Sequence, residues 1–377
     1  MLFRSGGIIL DDENTATALD GQGATIALYS GAGPSGVGIA AAQDSNGFAE
    51  LRSDSAPITL DTTAQDGADI GATGSPGKRV QFYNAQTEVS IATDGGDVWI
   101  GGIADATGVT YDDIDTQPDA GANSTNAGTL SIVNETAATP IRLNGTIDTT
   151  GGTGGTQEYG ESGNRHPVVL AGPTTMESAN ADITIWNDIS DAGTNTLTVS
   201  AGTGDINLNI DSVATTGAQS WSAANVNVNA PTGPTDRLTV QTSDADVTVT
   251  TTGALILADD DDLTIDTGSG GGAITIDAVT GVAATGSNKD MYFRAGTGTV
   301  TIDGAVSDAA LLRNLTIRSD DLQVTTNGSI SIGGALALYT EDGTVPMNVG
   351  IDGGVGSWNL DDAEIGRISA ASSIVIG

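Results

Sequence analysis

The chain contains no cysteine, which excludes a fold stapled by disulfides. A small secreted domain would ordinarily need such bridges, whereas a long stack of layers buries enough of itself to stand without them. Their lack also suits export of an unfolded chain across an envelope. Aromatic residues make up only 4% of the sequence, so the core must be thin and built from Val, Ile, Leu and Ala. Lys, Glu, Gln and Met are scarce, which argues against a helical protein. Proline is sparse as well, at 10 residues. No stretch is long and apolar enough to cross a bilayer as a helix. The first ten residues, MLFRSGGIIL, lack the apolar core and cleavage site of a signal peptide.

Basic residues are equally few. Twelve Lys and Arg stand against 48 Asp and Glu, a formal net charge of −36, and Asp far outnumbers Glu. Such a surface repels nucleic acid and anionic lipid headgroups, so neither is expected as a partner. It suits a solvated exterior in salt water, or divalent cations held by clustered carboxylates. With one histidine, His166, a histidine metal site or a Ser-His-Asp triad could draw only on that residue. Its place between Arg165 and Pro167 in a Gly-rich stretch reads as exposed. Lys78 and Arg79 are the only adjacent basic pair outside loops, and Lys289 stands alone. A lyase acting on acidic polysaccharide would want such cations clustered. Trp99, Trp186, Trp221 and Trp358 are scattered and make no visible sugar-stacking platform.

What is present is a strand vocabulary. Glycine reaches 53 residues, and Thr, Val, Ile, Asn and Asp fill much of the rest. β-Branched residues favour pleated strands, while Gly, Asn and Asp favour tight turns. From Arg237 to Thr340 one phrase recurs with variations: LTV, DVTV, ALIL, LTI, AITI, MYF, TVTI, LTI, LQV, SISI, ALAL. Each is a pair of apolar residues separated by a polar or small one, which turns one face of a strand inward. Such pairs run from Ile26/Leu28 and Ile58/Leu60 through Val98/Ile100, Ile183/Ile185 and Leu263/Ile265 to Leu336/Leu338.

Neighbouring pairs lie about 8 to 11 residues apart, which fits strand plus turn with two or three strands closing one coil. An all-β sandwich has similar spacing. The near-identical phrases and the rarity of hairpin turns favour a coil. The expectation is an all-β chain forming one continuous, elongated β-solenoid over residues 1–377, a parallel β-helix. Coils of about 20 to 30 residues would give on the order of 15 coils and a rod of roughly 70 Å at about 4.8 Å per coil. Loop insertions are expected near 104–128, which holds Tyr111 and Pro118, and near 149–167, which holds Tyr159, Arg165 and His166. Met1–Gly6 reads like Met291–Gly296, and Ile368–Ile376 reads like Val199–Leu208. Both ends therefore look like the interior of a repeat array, either a segment of a longer one or a unit that stacks on itself.

Motifs for chemistry are weak. Gly31-Ala32-Gly33-Pro34-Ser35-Gly36 matches a dinucleotide fingerprint, but no βαβ succession follows and Gly38 and Gly47 would interrupt the helix. Gly77-Lys78 resembles the end of a phosphate loop, yet Arg79 replaces the required Ser or Thr. Asp259, Asp260, Asp261 and Asp262 form a run of carboxylates that could hold Ca²⁺, as could Asp112, Asp113 and Asp115. The same residues also read as hydrated acidic turns, since neither the EF-hand spacing nor the GGxGxDxUx repeat occurs. No catalytic or cofactor-binding residue is expected. No cofactor is required, and Ca²⁺ is the one candidate.

The phrases LTVSAGTGDI (Leu197–Ile206), FRAGTGTVTI (Phe293–Ile302) and Leu315-Thr316-Ile317 resemble the repeats of filamentous-haemagglutinin-like giant surface proteins. So does the cadence from Val168 to Ile185, and the resemblance is clearest over residues 168–340. It implies a secreted, non-catalytic, right-handed β-solenoid at the cell surface, acting in adhesion, fibre formation or cell contact. The implied partners are the chain itself by axial stacking, flanking repeats, and cell-surface glycans or receptors. The alternative is a β-helix polysaccharide-active enzyme or a glycan-binding phage-type fibre, which a groove lined with basic and aromatic residues would favour.

Overall fold

A computed structural model describes residues 2–5, 8–10, 19–20, 26–30, 39–41, 49–52, 57–63, 69–71, 80–83, 88–93, 95–102, 109–118, 126–134, 139–231, 237–258, 261–278, 281–284, 289–308, 312–343, 345–350 and 358–377. The chain divides into two compact units, Met1–Asp188 with Ser200–Gly204, and Ile189–Val199 with Asp205–Gly377. Among the described residues the secondary structure is strand, apart from one helical turn at Asp362–Ile365. The strand ladders in both units are parallel.

In the first unit one ladder runs through Leu2–Ser5, Ile26–Ser30, Ile58–Asp61, Glu88–Ala92, Thr110–Asp115, Ile141–Thr149 and Val168–Ser178. A second runs through Leu19–Asp20, Ala49–Arg52, Val80–Tyr83, Val98–Gly102, Leu130–Ile132, Gln157–Tyr159 and Ile183–Ile185. Partners lie 20 to 33 residues apart along the chain, as at Val80 beside Ile100 and Ile114 beside Ile147. Parallel pairing at constant parity stacks inward residues in columns: Leu60, Ile91, Ile114, Ile147 and Met176 lie in register and all are buried. Such columns exclude water layer by layer, which is the main stabilising term of a core this poor in aromatics.

The second unit repeats the scheme in three series. One passes from Ser212–Ala214 through Arg237–Gln241, Asp262–Asp266, Lys289–Ile302, Leu312–Val324 and Ala335–Tyr339 to Ser373–Ile376. Another passes from Gln219–Ala223 through Val247–Thr251 and Ile274–Ala278 to the second half of Lys289–Ile302. The third includes Ile206–Leu208, Val226–Val228, Ala254–Leu257 and Gly281–Ala284. Lys289–Ile302, 14 residues long, and Leu312–Val324, 13 residues long, are long enough to serve the first two series at once. The long strand turns its corner at Gly296, where the register shifts and φ is 59°. Within these three series offsets are 20 to 38 residues, and the longest, Leu336 beside Ile374, spans the helical turn and Trp358.

A threonine closes many corners. Thr62, Thr93, Thr116, Thr215, Thr242 and Thr267 follow strands directly, Thr149 ends one, and all are buried. Their position would strand a hydroxyl in the core, and a nearby carbonyl satisfies it. Thr93 donates to the Gly96 carbonyl at 2.8 Å, Thr116 to Gly128 at 2.9 Å, and Thr149 to Gly155 at 2.6 Å. A Cβ added at Gly128 or Gly155 would sit 1.9 Å from the Gly96 or Gly128 carbonyl, so the turns stack only as glycine. The aspartate just before the threonine often closes an Asx turn. Asp61, Asp115, Asp148 and Asp266 each accept from the N–H two residues on, at 3.0, 2.8, 2.7 and 2.8 Å.

Several expectations change. The stretch 104–128, read as an insertion, contains the paired strand Thr110–Asp115, and 149–167 contains Gln157–Tyr159. Alternation is hidden in the first because Asp113 adopts φ 54° at a bulge, so Tyr111 and Ile114 both point inward three residues apart. It is hidden in the second because the inward residues are Gln157 and Tyr159, whose polar ends bond each other at 2.8 Å. His166, read as exposed, is fully buried, and so is Lys289, whose ammonium donates to the Ala258 carbonyl at 2.8 Å.

Candidate functional site

The outer face of the first series in the second unit is a grid of side chains fixed by strand register. Outward residues recur every second position, so each strand contributes three. Asp262, Thr264 and Asp266 lie beside Asp290, Tyr292 and Arg294, then Asn314, Thr316 and Arg318, then Ala335, Ala337 and Tyr339. The middle column therefore reads Thr264, Tyr292, Thr316, Ala337. Its side chains shrink away from the tyrosine, and the face is hollowed into a groove of about 510 Å³. The threonine and tyrosine hydroxyls of this column make no hydrogen bond within the described protein.

Arg237, Asp262, Asp290 and Asn314 wall one side of the groove, and a second charged cluster lies beyond it at the other end of the strands. In the wall, the Arg313 Nε donates to Asp290 Oδ1 at 2.9 Å and its Nη2 pairs with Oδ2, while Asn314 Nδ2 donates to the same Oδ1 at 2.8 Å. The Asp290 N–H in turn donates to Asp262 Oδ1 at 2.8 Å, and Asp262 faces Arg237 at 3.6 Å. In the second cluster, outside the groove lining, Glu341 reaches between two stacked arginines. Its Oε1 lies 2.5 Å from Arg294 Nη2, and its Oε2 lies 2.7 Å from Arg318 Nε, an ion pair without hydrogen-bond alignment. Arg294 also pairs with Asp266 at 3.5 Å.

These contacts set the protonation states. Hydrogen bonding from Arg294 holds the Glu341 carboxyl below the ordinary glutamate range, against the opposing pull of partial burial. Partial burial would raise Asp290, but the hydrogen bonds from Arg313 and Asn314 outweigh it and hold the carboxyl low. Arg294 is held above its ordinary value, first by its hydrogen bond to Glu341. A carboxylate so held is a fixed acceptor rather than a proton carrier near neutral pH. The groove is thus equipped for recognition by stacking and hydrogen bonding.

Those of the expected metal residues that are described meet partners within the protein. Asp259 and Asp260 lie outside the described residues. Asp261 is buried and its Oδ2 accepts from the Ala230 N–H at 3.0 Å, while Asp262 belongs to the groove wall. Asp112 accepts from Asn144 Nδ2 at 2.9 Å, Asp113 from the Thr146 N–H at 2.8 Å, and Asp115 closes its turn onto Gln117. Among the described residues no three His, Asp or Glu side chains gather as a cation shell requires. The motifs at Gly31–Gly36 and Gly77-Lys78 also fall outside the described residues. Of the tryptophans, Trp221 and Trp358 are buried, and Trp186 donates to Glu158 at 2.9 Å with the Arg165 guanidinium 6.0 Å from its ring.

Sequence reasoning sought an aromatic platform among tryptophans and passed over Tyr292. The signal lay in the repeated phrase: MYF carries tyrosine where its neighbours LTI and LTI carry threonine. No family model matches the chain, and no curated protein or solved structure matches it either.

Proposed function

We propose that the chain is part of a right-handed parallel β-solenoid in an extracellular or cell-surface structural and adhesive protein of the filamentous-haemagglutinin-like type, and that it is not a catalyst. The observation that carries this reading is register. In the second unit, partners 20 to 38 residues apart form three parallel series, and residues of like character stack in columns. Parallel return of the chain beside itself at such intervals supports the reading of wound coils. The right hand follows from the strong preference of crossovers between parallel strands. The acidic exterior, the lack of cysteine and the repeat phrases support an extracellular setting. The arginine-locked carboxylates support binding over proton transfer.

Axial association with a second copy or with flanking repeats is part of the same proposal. Ile374 and Ile376 stand in register with the buried Leu336 and Leu338, yet are 46% and 40% exposed. A strand edge carrying such residues is a template for further pairing. Electron microscopy of the purified chain tests the architecture: rods or end-to-end strings are expected, and isolated globular particles would overturn it. No cofactor is required in this reading. Chelation with EDTA should leave the thermal midpoint unchanged. A rise of several degrees on adding calcium would instead assign Ca²⁺ to Asp259–Asp262 or to Asp112, Asp113 and Asp115.

A further inference from the structure

We infer that the Tyr292 groove binds a neutral oligosaccharide, with the tyrosine ring stacking on a sugar face and the flanking threonines and fixed carboxylates meeting its hydroxyls. This deepens the adhesive reading above by naming the ligand class, and it rests on that reading only for its biological setting. Four observations carry it. The groove is concave, at about 510 Å³, within the range of small-ligand sites. Its centre is an outward, half-buried aromatic ring between two threonines, in a chain where aromatic residues are only 4%. An aromatic body with a polar tip suits a ligand that has apolar CH faces and hydroxyl edges.

The wall supplies the third observation. Asp290 is held in place by Arg313 and Asn314, so its orientation does not depend on the ligand. Pre-set acceptors lose little freedom on binding. The fourth is the step from Tyr292 through Thr316 to Ala337, two strand spacings or about 10 Å. A disaccharide unit covers that length, and the small Ala337 leaves room for the second ring.

Charge selects among sugars. Arg237, the cation that lines the groove, faces Asp262 already, and the nearby Arg313 faces Asp290. No cation in the groove is therefore left over for a uronate or a sulfate, and the formal charge of −36 repels both.

The test is saturation-transfer NMR on the intact chain with maltohexaose, cellohexaose and chitohexaose, and with hexagalacturonate as the acidic comparison. At least one neutral hexasaccharide should receive saturation on its ring protons, and hexagalacturonate should not. Tyr292→Ala should weaken binding by about tenfold, while Tyr292→Phe keeps the stacking face and most of the affinity. Ala337→Arg, which fills the groove, should abolish binding, and Thr248→Ala on another outer face should leave it unchanged. Absence of transfer to all three neutral sugars would overturn the proposal. So would binding indifferent to Tyr292→Ala and Ala337→Arg, or equal binding of hexagalacturonate. The assay reads the groove whether or not rods form. Sugar binding by globular particles would remove the rod and keep the groove, and rods that ignore sugar would do the reverse.

Discussion

The same corner position is built in two ways. In the first unit Asp115, Asp148 and Glu177 stand in register on successive strands, a column of like charge. In the second unit the matching column reads Gln241, Asp266, Arg294, Arg318, with Glu341 inserted between the arginines. The backbone device beneath is shared: Asp148 and Asp266 both close Asx turns, and Thr149 and Thr267 both bury their hydroxyls against a glycine carbonyl at 2.6 Å. The first column tolerates repulsion by facing water, where a charge pair one strand spacing apart interacts by only about 1 kcal/mol. The second converts its charges into a clamp. Corner geometry is therefore independent of how its charge is balanced, and among the described residues the clamp is an addition of the second unit.

The cores beneath the two columns should be equivalent, and large-to-small changes there give the largest effects. Phe293→Ala, between Ile265 and Ile317, should cost about 3–5 kcal/mol in urea denaturation, and Met176→Ala, beside Ile147, about 2–5 kcal/mol. A near-zero cost at one of them would mean that the units differ in packing as well as in surface charge. The clamp should matter less. Glu341→Gln leaves two stacked arginines without their shared partner and should cost about 1–2 kcal/mol, discounted for the partial exposure of both guanidinium groups. Glu177→Gln should stay within about 0.5 kcal/mol or stabilise slightly. Equal losses at Glu341 and Glu177 would erase the distinction.

Acid should act on the clamp in a defined direction. The folded Glu341 carboxyl lies below the 4.5 of an unperturbed glutamate. Its contribution is therefore whole above that value and is lost as pH falls through the folded value. The gap in thermal midpoint between the parent and Glu341→Gln should narrow from about pH 5 to about pH 3. Asp277 runs the other way, because burial, helped by Asp303, raises it above the 3.8 of an unperturbed aspartate. Its contribution is present below that value and is lost as pH rises through the folded one. Asp277→Asn should accordingly raise the midpoint by a small amount near neutrality, and the gain should vanish in acid.

Much of the core was legible in the sequence. Pairs such as Ile58/Leu60, Leu130/Ile132, Leu263/Ile265 and Ile274/Ile276 are all buried, because alternation is a local property of an extended chain. The parity rule failed where the inward residue is polar or the strand is bulged, as at Gln157, Tyr159 and Tyr111. It also could not distinguish the aspartates that close turns from those available to a cation. The Asp-Thr pairs at Asp61-Thr62, Asp115-Thr116, Asp148-Thr149 and Asp266-Thr267 held that information, since an aspartate followed by a buried threonine marks a strand meeting its corner.

By itself the sequence determined that this is an all-β chain, which residues face inward, and where the turns fall. These follow from short-range preferences and from the two-residue period of a strand. Only the tertiary structure decided which strands lie side by side. In the long ladders parallel hydrogen bonding joins residues 20 to 38 apart, and turns of uneven length set that offset. The Tyr292 groove, and the meeting of Arg294 with Glu341 across 47 residues, exist only through that register.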